Sequence, residues 1–284
     1  MRPSTQPRFS LLAPPYRELL VLDDEEEFPE DPRVLRGAAL FWRLSVGQPK
    51  HQLERVAKRP GGLSLMVMLP KSGNVSTLRL RALEVLATAR PHAILPYHAK
   101  PSARELCSLL RAGPEDLAGE LLDFLAWRGF QLQQETRQLL RRTVELSGEL
   151  TTLSSLARGV YVSRRALGRR FQKEGIPVPS HWLQFSRLFR AVVRLQNSRK
   201  SVCEVAASLG YPDGFTLSSQ MARLVGVRPS VARERLGWEW FTEAWLRQEW
   251  ATGGLRVSLR GLPGRPTSEA SPKRLEFVSD NDGV

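Results

Sequence analysis

Apolar and polar positions divide the chain into two kinds of pattern. Between residues 16 and 113, short apolar runs alternate with helically spaced segments. "RELLVLDD", "WRLSVG", "LSLMVMLP" and "HAILPYH" read as strands, and "STLRLRALEVLATAR" reads as a helix between two of them. Strands alternating with helices predict a small, mostly parallel α/β domain over 16–113. Residues 1–15 are Pro-rich and are expected to be disordered.

After Pro114 the strand pattern stops. Segments such as "PEDLAGELLDFLAWRG", "LQQETRQLLRRTVELSGE", "TTLSSLARGVY" and "PSVARERLG" carry a 3.6-residue period between Gly, Pro and Ser punctuation. An all-helical domain over 114–236 is predicted. A further helix, 237–250, places Trp238, Phe241 and Trp245 on one face, with Trp240 and Trp250 off it; packing against the preceding domain is the reading taken. From Ala251 to Val284, Gly, Pro, Ser and charge dominate, and a disordered tail is expected. The expected fold class is α+β multidomain: a small α/β domain, then an all-α domain.

Within the helical half, "VYVSRRALGRRF" is the densest run of arginine. Ser163 is a good N-cap for a helix from Arg164 to about Glu174. At roughly 100° per residue, Leu167 and Phe171 face a core. Arg165, Arg169 and Gln172 lie opposite with Gly168 beside them, and Arg164, Arg170 and Lys173 flank that face. With the preceding short helix "LSSLARGVY", this is a helix-turn-helix arrangement, first unit 151–174.

A solvated helix also presents such a face. A second occurrence changes the reading. "VCEVAASLGYPDGFTLSSQMARLVGVRPS" gives a short helix, a turn at Gly210–Asp213 and a helix with Leu217, Met221 and Val225 inward, second unit 201–227. Between the units runs a helix over 180–197, of roughly 27 Å at 1.5 Å per residue. That span approaches the about 34 Å between successive major grooves on one face of B-DNA. On this helix Trp182, Phe185, Phe189 and Val192 share one side; Arg187, Arg190 and Arg194 share the other, facing backbone phosphates or solvent.

Charge localises the same way. The chain carries a net charge of +13. Residues 151–236 hold fifteen Lys or Arg against four Asp or Glu, the first 150 residues 21 against 18, and the remainder 6 against 7. A polyanionic partner is indicated, and its site is in the helical region.

The paired units resemble the AraC/XylS-type DNA-binding domain over residues 131–236. The first matches at Leu156, Ala157, Ser163, Leu167, Arg169 and Phe171; the second matches from Val205 to Ser230 as "VA...GY.D...LS..M....G..PS". The resemblance implies double-stranded DNA as partner and a sequence-specific transcriptional regulator that reads the major groove mainly through its first unit. It places base-reading positions at Arg165, Gly168 and Arg169, and in the second unit at Gly214, Phe215, Thr216, Ser218 and Ser219. The chain departs from the family at the first turn, where Tyr161 stands for the usual Gly, and at Ser219 and Ala222, where basic residues are usual. The alternative is an interaction or scaffold protein whose basic domain binds nucleic acid without base preference.

"LLVLDD", with Asp23 and Asp24, and Lys100-Pro101 give the N-terminal half a partial resemblance to a response-regulator receiver. Leu69-Pro70 stands where a phosphoacceptor aspartate is needed, so no aspartyl phosphate can form there. A protein-contact or ligand-sensing domain is the reading taken, with RNA polymerase or another protein or ligand as its partner.

No enzyme, cofactor or metal is expected. His51, His92, His98 and His181 lack metal-ligand spacing, the acidic run "DDEEEFPED" reads as a solvated loop, and no Walker loop or nucleophile elbow is found. Cys107 and Cys203, each in an apolar helical pattern, are expected to be buried free thiols. No apolar run reaches the roughly 18 residues of a membrane span, the N-terminal run is too short for a signal peptide, and a cytoplasmic protein is expected.

Overall fold

The computed structural model describes residues 8–23, 27–44, 50–70, 84, 86–97 and 101–258. Its strands are β1 (Phe9–Leu12), β2 (Leu19–Leu22), β3 (Ala39–Arg43), β4 (Ser64–Met68) and β5 (Ala93–Leu95), in the sheet order β2-β1-β3-β4-β5. β1 pairs antiparallel with β2 and β3, while β3, β4 and β5 run parallel. The sheet is therefore mixed rather than mostly parallel. Only residues 13–18 separate β1 from β2, too few for the crossover of a dozen or more residues that a parallel pair requires.

That hairpin removes the receiver topology, in which a helix separates the first two strands. Asp24 and Lys100 lie outside the described residues, as does most of the segment "STLRLRALEVLATAR".

Both faces of the three central strands, β1, β3 and β4, are buried, so those strands read as continuous apolar runs, while Leu20 and Val21 of β2 and Ile94 of β5 are exposed. Leu40, Trp42, Leu65 and Val67 join one cluster with Phe9 and Val56; Ala39, Phe41, Met66 and Met68 join another with Leu106 and Leu110. Two boundaries move as a result. β1, at 0% exposure for Phe9 and Leu12, lies in the segment 1–15 expected to be disordered; Pro14 and Pro15 mark the turn that follows it, and residues 1–7 lie outside the described residues. β3 starts at Ala39, earlier than "WRLSVG" suggests, because Ala39–Phe41 pair with both β1 and β4.

The helices are α1 (Pro32–Leu35), α2 (Lys50–Ala57), α3 (Ala103–Arg111), α4 (Leu117–Trp127), α5 (Gln134–Leu146), α6 (Leu153–Gly159), α7 (Arg164–Lys173), α8 (Pro179–Asn197), α9 (Val202–Ala207), α10 (Gly214–Val225), α11 (Pro229–Glu234) and α12 (Glu239–Ala251). One apolar core joins α4 through α12, centred on the aromatic side of α8. Trp245 of α12 stacks on Phe185 at 4.0 Å and meets Trp182 edge-on at 4.5 Å.

No boundary falls at 236/237. α12 is part of the helical core, and Trp240, off the face shared by Trp238, Phe241 and Trp245, is also only 2% exposed, with Nε1 donating to the Arg235 carbonyl at 2.9 Å. The tail from Ala251 is corrected likewise: Leu255 is buried and the Arg256 N–H donates to Gly175 O at 2.7 Å. Residues 259–284 lie outside the described residues.

The helical body is also sealed onto the sheet. Leu236 joins the sheet's second apolar cluster, and its N–H donates to the Tyr16 hydroxyl at 2.7 Å. Beneath it Glu239 accepts from Ser64 Oγ at 2.8 Å and lies 2.8 Å from His92 Nδ1. Arg128 and Glu243, both buried, make a bidentate pair at 2.9 Å. Arg59, fully enclosed, donates to the carbonyls of Val56, Leu63, Ala89 and Arg90 and stacks over Trp127. Burial pushes its guanidinium down to about 9.

Candidate nucleic-acid interface

Each helix of the two units starts on its own capping chemistry. In the first, Thr152 and Ser155 form a capping box at α6, and Ser163 Oγ accepts from Ala166 N–H at 3.2 Å to start α7. In the second, Ser201 and Glu204 cap α9, and Asp213 accepts from Thr216 N–H at 2.6 Å to start α10. The backbone N–H groups hold the Glu204 and Asp213 carboxyls below their usual range. α10 stops at Gly226, in the left-handed region at φ 71°.

The inner faces are Leu156, Leu167 and Phe171 in the first unit and Val205, Leu217 and Met221 in the second, each at 0% exposure. α8 spans the two and contacts all four of these helices. Gly214 belongs to this packing rather than to base reading: it is buried, and a Cβ there would come within 2.9 Å of Cys203 Sγ. Cys203 itself is exposed, not buried, because its side of α9 is left open; Cys107 is buried as expected.

The first turn contains the family departure. Tyr161 sits at φ 55°, and the N–H groups of Tyr161 and Val162 close the end of α6 onto Arg158 O and Ala157 O. The turn geometry that Gly usually supplies is thus reached by a tyrosine whose side chain is 96% exposed.

Arginines divide into free and engaged. Arg165, Arg169, Gln172 and Lys173 are exposed on α7, and their side chains make no hydrogen bond or ion pair among the described residues. Beside them Gly168 leaves open space where a side chain would stand. Arg164 reaches Ser154 Oγ at 3.4 Å, and Arg170 pairs with Glu135 at 2.7 Å.

The stripe expected on α8 is a correction. Arg187 is 7% exposed; its Nη2 donates to Leu209 O at 2.6 Å, and its guanidinium lies 4.2 Å over the Tyr211 ring. Arg190 donates to Ser147 Oγ, Val144 O and Glu145 O; burial pulls its guanidinium below the usual range. Arg194 donates to Ser208 O and Oγ at 2.9 and 2.6 Å. The arginines of α8 bind the carbonyl ends of neighbouring helices, Arg187 buried and Arg190 and Arg194 half-buried.

On α10, Phe215 is 79% exposed, Ser219 is exposed and Thr216 is half-buried, while Ser218 Oγ is taken by Gly214 O at 2.7 Å. The second outer face therefore offers an aromatic ring and hydroxyls. A cleft beside it, lined in part by Tyr211, Gln220 and Arg223, was not visible in the sequence, because its walls come from separate elements.

Among the described residues, no group of three or more His, Cys, Asp or Glu could hold a metal, and no helix is long and apolar enough to cross a membrane. His98 lies outside the described residues.

Residues 156–235 match the family model described as "Helix-turn-helix domain". The chain is 33% identical over 100 residues to the HTH-type transcriptional regulator ArgR of Pseudomonas aeruginosa, which covers 35% of this chain and 30% of that protein. The match thus spans less than a third of that relative's length. Among solved structures, the xylose-binding transcription activator XylR aligns over 66% of this chain and 58% of its own, at 13% identity and TM-score 0.34. The transcriptional regulator CdpR of Pseudomonas aeruginosa aligns over 82% and 70%, at 17% identity and TM-score 0.32. Scores this low carry no argument about fold.

Proposed function

We propose, taking as premise the AraC-type helix-turn-helix domain over residues 156–235, that this chain is a sequence-specific DNA-binding transcriptional regulator. The observation that carries the proposal is the segregation of its cations. Arg187, Arg190 and Arg194 are engaged in the fold, whereas Arg165 and Arg169 stand free on the outer face of a helix-turn-helix second helix. A free guanidinium there can bind guanine O6 and N7 together in the major groove, and Gln172 can pair with adenine N6 and N7. Arg164, Arg170 and Lys173 flank that contact at phosphate positions.

The second unit holds the protein in register. Phe215 offers an apolar contact to a thymine methyl, and Thr216 and Ser219 offer hydroxyl contacts. The mixed sheet serves protein contact or ligand sensing, with RNA polymerase or another protein or ligand as the candidate partner. A competition assay on the full chain at fixed salt tests the central claim: a selected duplex should be preferred over random duplex by about 10³-fold or more. Equal affinities would defeat it.

A further inference from the structure

The cleft against the second unit carries four side chains, Arg187, Tyr211, Gln220 and Arg223, that the proposed base contacts do not use. It is an open depression of about 440 Å³ between the Gly210–Pro212 turn and the outer side of α10. Three polar atoms around it are buried without a hydrogen-bond partner among the described residues: Arg187 Nε, Tyr211 Oη and Gln220 Oε1. Arg187 and Tyr211 are 7% and 6% exposed. Leaving a buried polar group unpaired costs about 1–3 kcal/mol, so the two donors, Arg187 Nε and Tyr211 Oη, mark a place prepared for an acceptor, and the Gln220 carboxamide, whose Oε1 is itself an acceptor, turns to offer its Nε2.

The lining identifies that group. Besides the Arg187 guanidinium stacked on Tyr211, it carries the hydroxyls of Thr216 and Ser219 and the guanidinium of Arg223, whose Nη2 also reaches Gln184 at 3.0 Å. No Asp or Glu lines it. The carboxylate next in sequence, Asp213, is occupied by the Thr216 N–H at the start of α10. Guanidiniums, hydroxyls and a carboxamide converging without a carboxylate suit a compact oxyanion, and Phe215 at the rim adds a flat apolar wall.

We infer that this cleft seats a phosphate group. Its donors reach the anion through small turns of the Tyr211, Gln220 and Arg223 side chains, with the Arg187 charge beneath. The backbone of a bound duplex is one source, since elements flanking a major-groove helix meet phosphates; a free phosphate or phosphorylated small molecule is the other. The duplex source rests on the function proposed above, and the free source does not.

The test uses the full chain as wild type, Tyr211→Phe and Arg223→Gln, each first confirmed to melt cooperatively. The selected duplex is prepared with single neutral methylphosphonates along its backbone. At one position in the half contacted by α10, neutralisation should weaken wild-type binding about tenfold and each variant less than about twofold. In parallel, inorganic phosphate is titrated calorimetrically without DNA; saturable binding that either variant weakens supports the seat with a free ligand. The inference is overturned if no backbone position couples to either variant and phosphate does not bind saturably. If no duplex sequence is preferred, the regulator proposal fails by itself and the phosphate titration still decides the seat.

Discussion

His92 and Glu239, 147 residues apart, face each other across 2.8 Å where the end of the helical region meets the sheet. The other ring nitrogen of His92 lies 3.2 Å from the Leu109 carbonyl, so both nitrogens confront acceptors and the protonated ring is favoured. Burial opposes each charge. The Glu239 charge and hydrogen bond nonetheless raise His92, and His92, with Arg90 and Ser64, brings Glu239 down to about 2.

Stability should therefore depend on pH from both sides. The raised His92 contributes fully below the ordinary value of 6.5, and that contribution is lost as pH climbs through its folded value. The lowered Glu239 contributes fully above 4.5, and its share is lost as pH falls towards about 2. Denaturant unfolding should show the pair's contribution greatest between those limits. Glu239→Gln should cost about 3–5 kcal/mol within that window, because it strands a buried cation. A pH profile identical to wild type in Glu239→Gln would remove this pair from the account.

Arg165→Ala or Arg169→Ala should relax base choice in one half of the site by about 1–3 kcal/mol, the worth of a bidentate arginine–guanine contact. Ser219→Ala should leave base preference almost unchanged, since a hydroxyl discriminates weakly. A base-by-base binding profile checks this; equal flattening by Ser219→Ala and Arg165→Ala would contradict the division of labour.

Arg190→Ala separates a structural cation from a DNA contact. Its guanidinium joins α8 to the Val144 and Glu145 carbonyls and Ser147, so its loss should lower stability by about 1–3 kcal/mol. The salt slope of DNA binding should stay unchanged, where a lost phosphate contact would reduce it by about one. Thermal melts and a salt series on the same sample give both readings.

Tyr161→Gly should stabilise the protein by about 0.5–1 kcal/mol. A left-handed conformation costs a non-glycine residue about 1–2 kcal/mol, part of which is returned through glycine's larger unfolded-state entropy. The side chain, 96% exposed, gives up almost no packing. A lower melting temperature in Tyr161→Gly would show that the ring makes a contact worth more than this strain.

Local pattern by itself determined the helix-turn-helix units. Leu167 and Phe171, Leu217 and Met221, and the caps Ser163 and Asp213 are fixed by helical period and neighbouring N–H groups, which depend on residues a few positions apart. That same period placed Arg165 and Arg169 opposite the core, and the fold decided that nothing covers them among the described residues. Tertiary structure alone decided the fate of the α8 arginines, because a 3.6-residue period says which cations lie opposite the aromatic core but not what packs against that second side. Only the fold brings Leu209 O to Arg187 and Val144 O to Arg190. Strand direction was settled partly beyond local reach: the six residues after β1 permit only an antiparallel hairpin with β2, yet only the assembled sheet sets β1 antiparallel to β3. The seal of α12 onto the sheet through Glu239, Ser64 and His92 is the most remote case, since nothing near any of these residues in the chain records the other two.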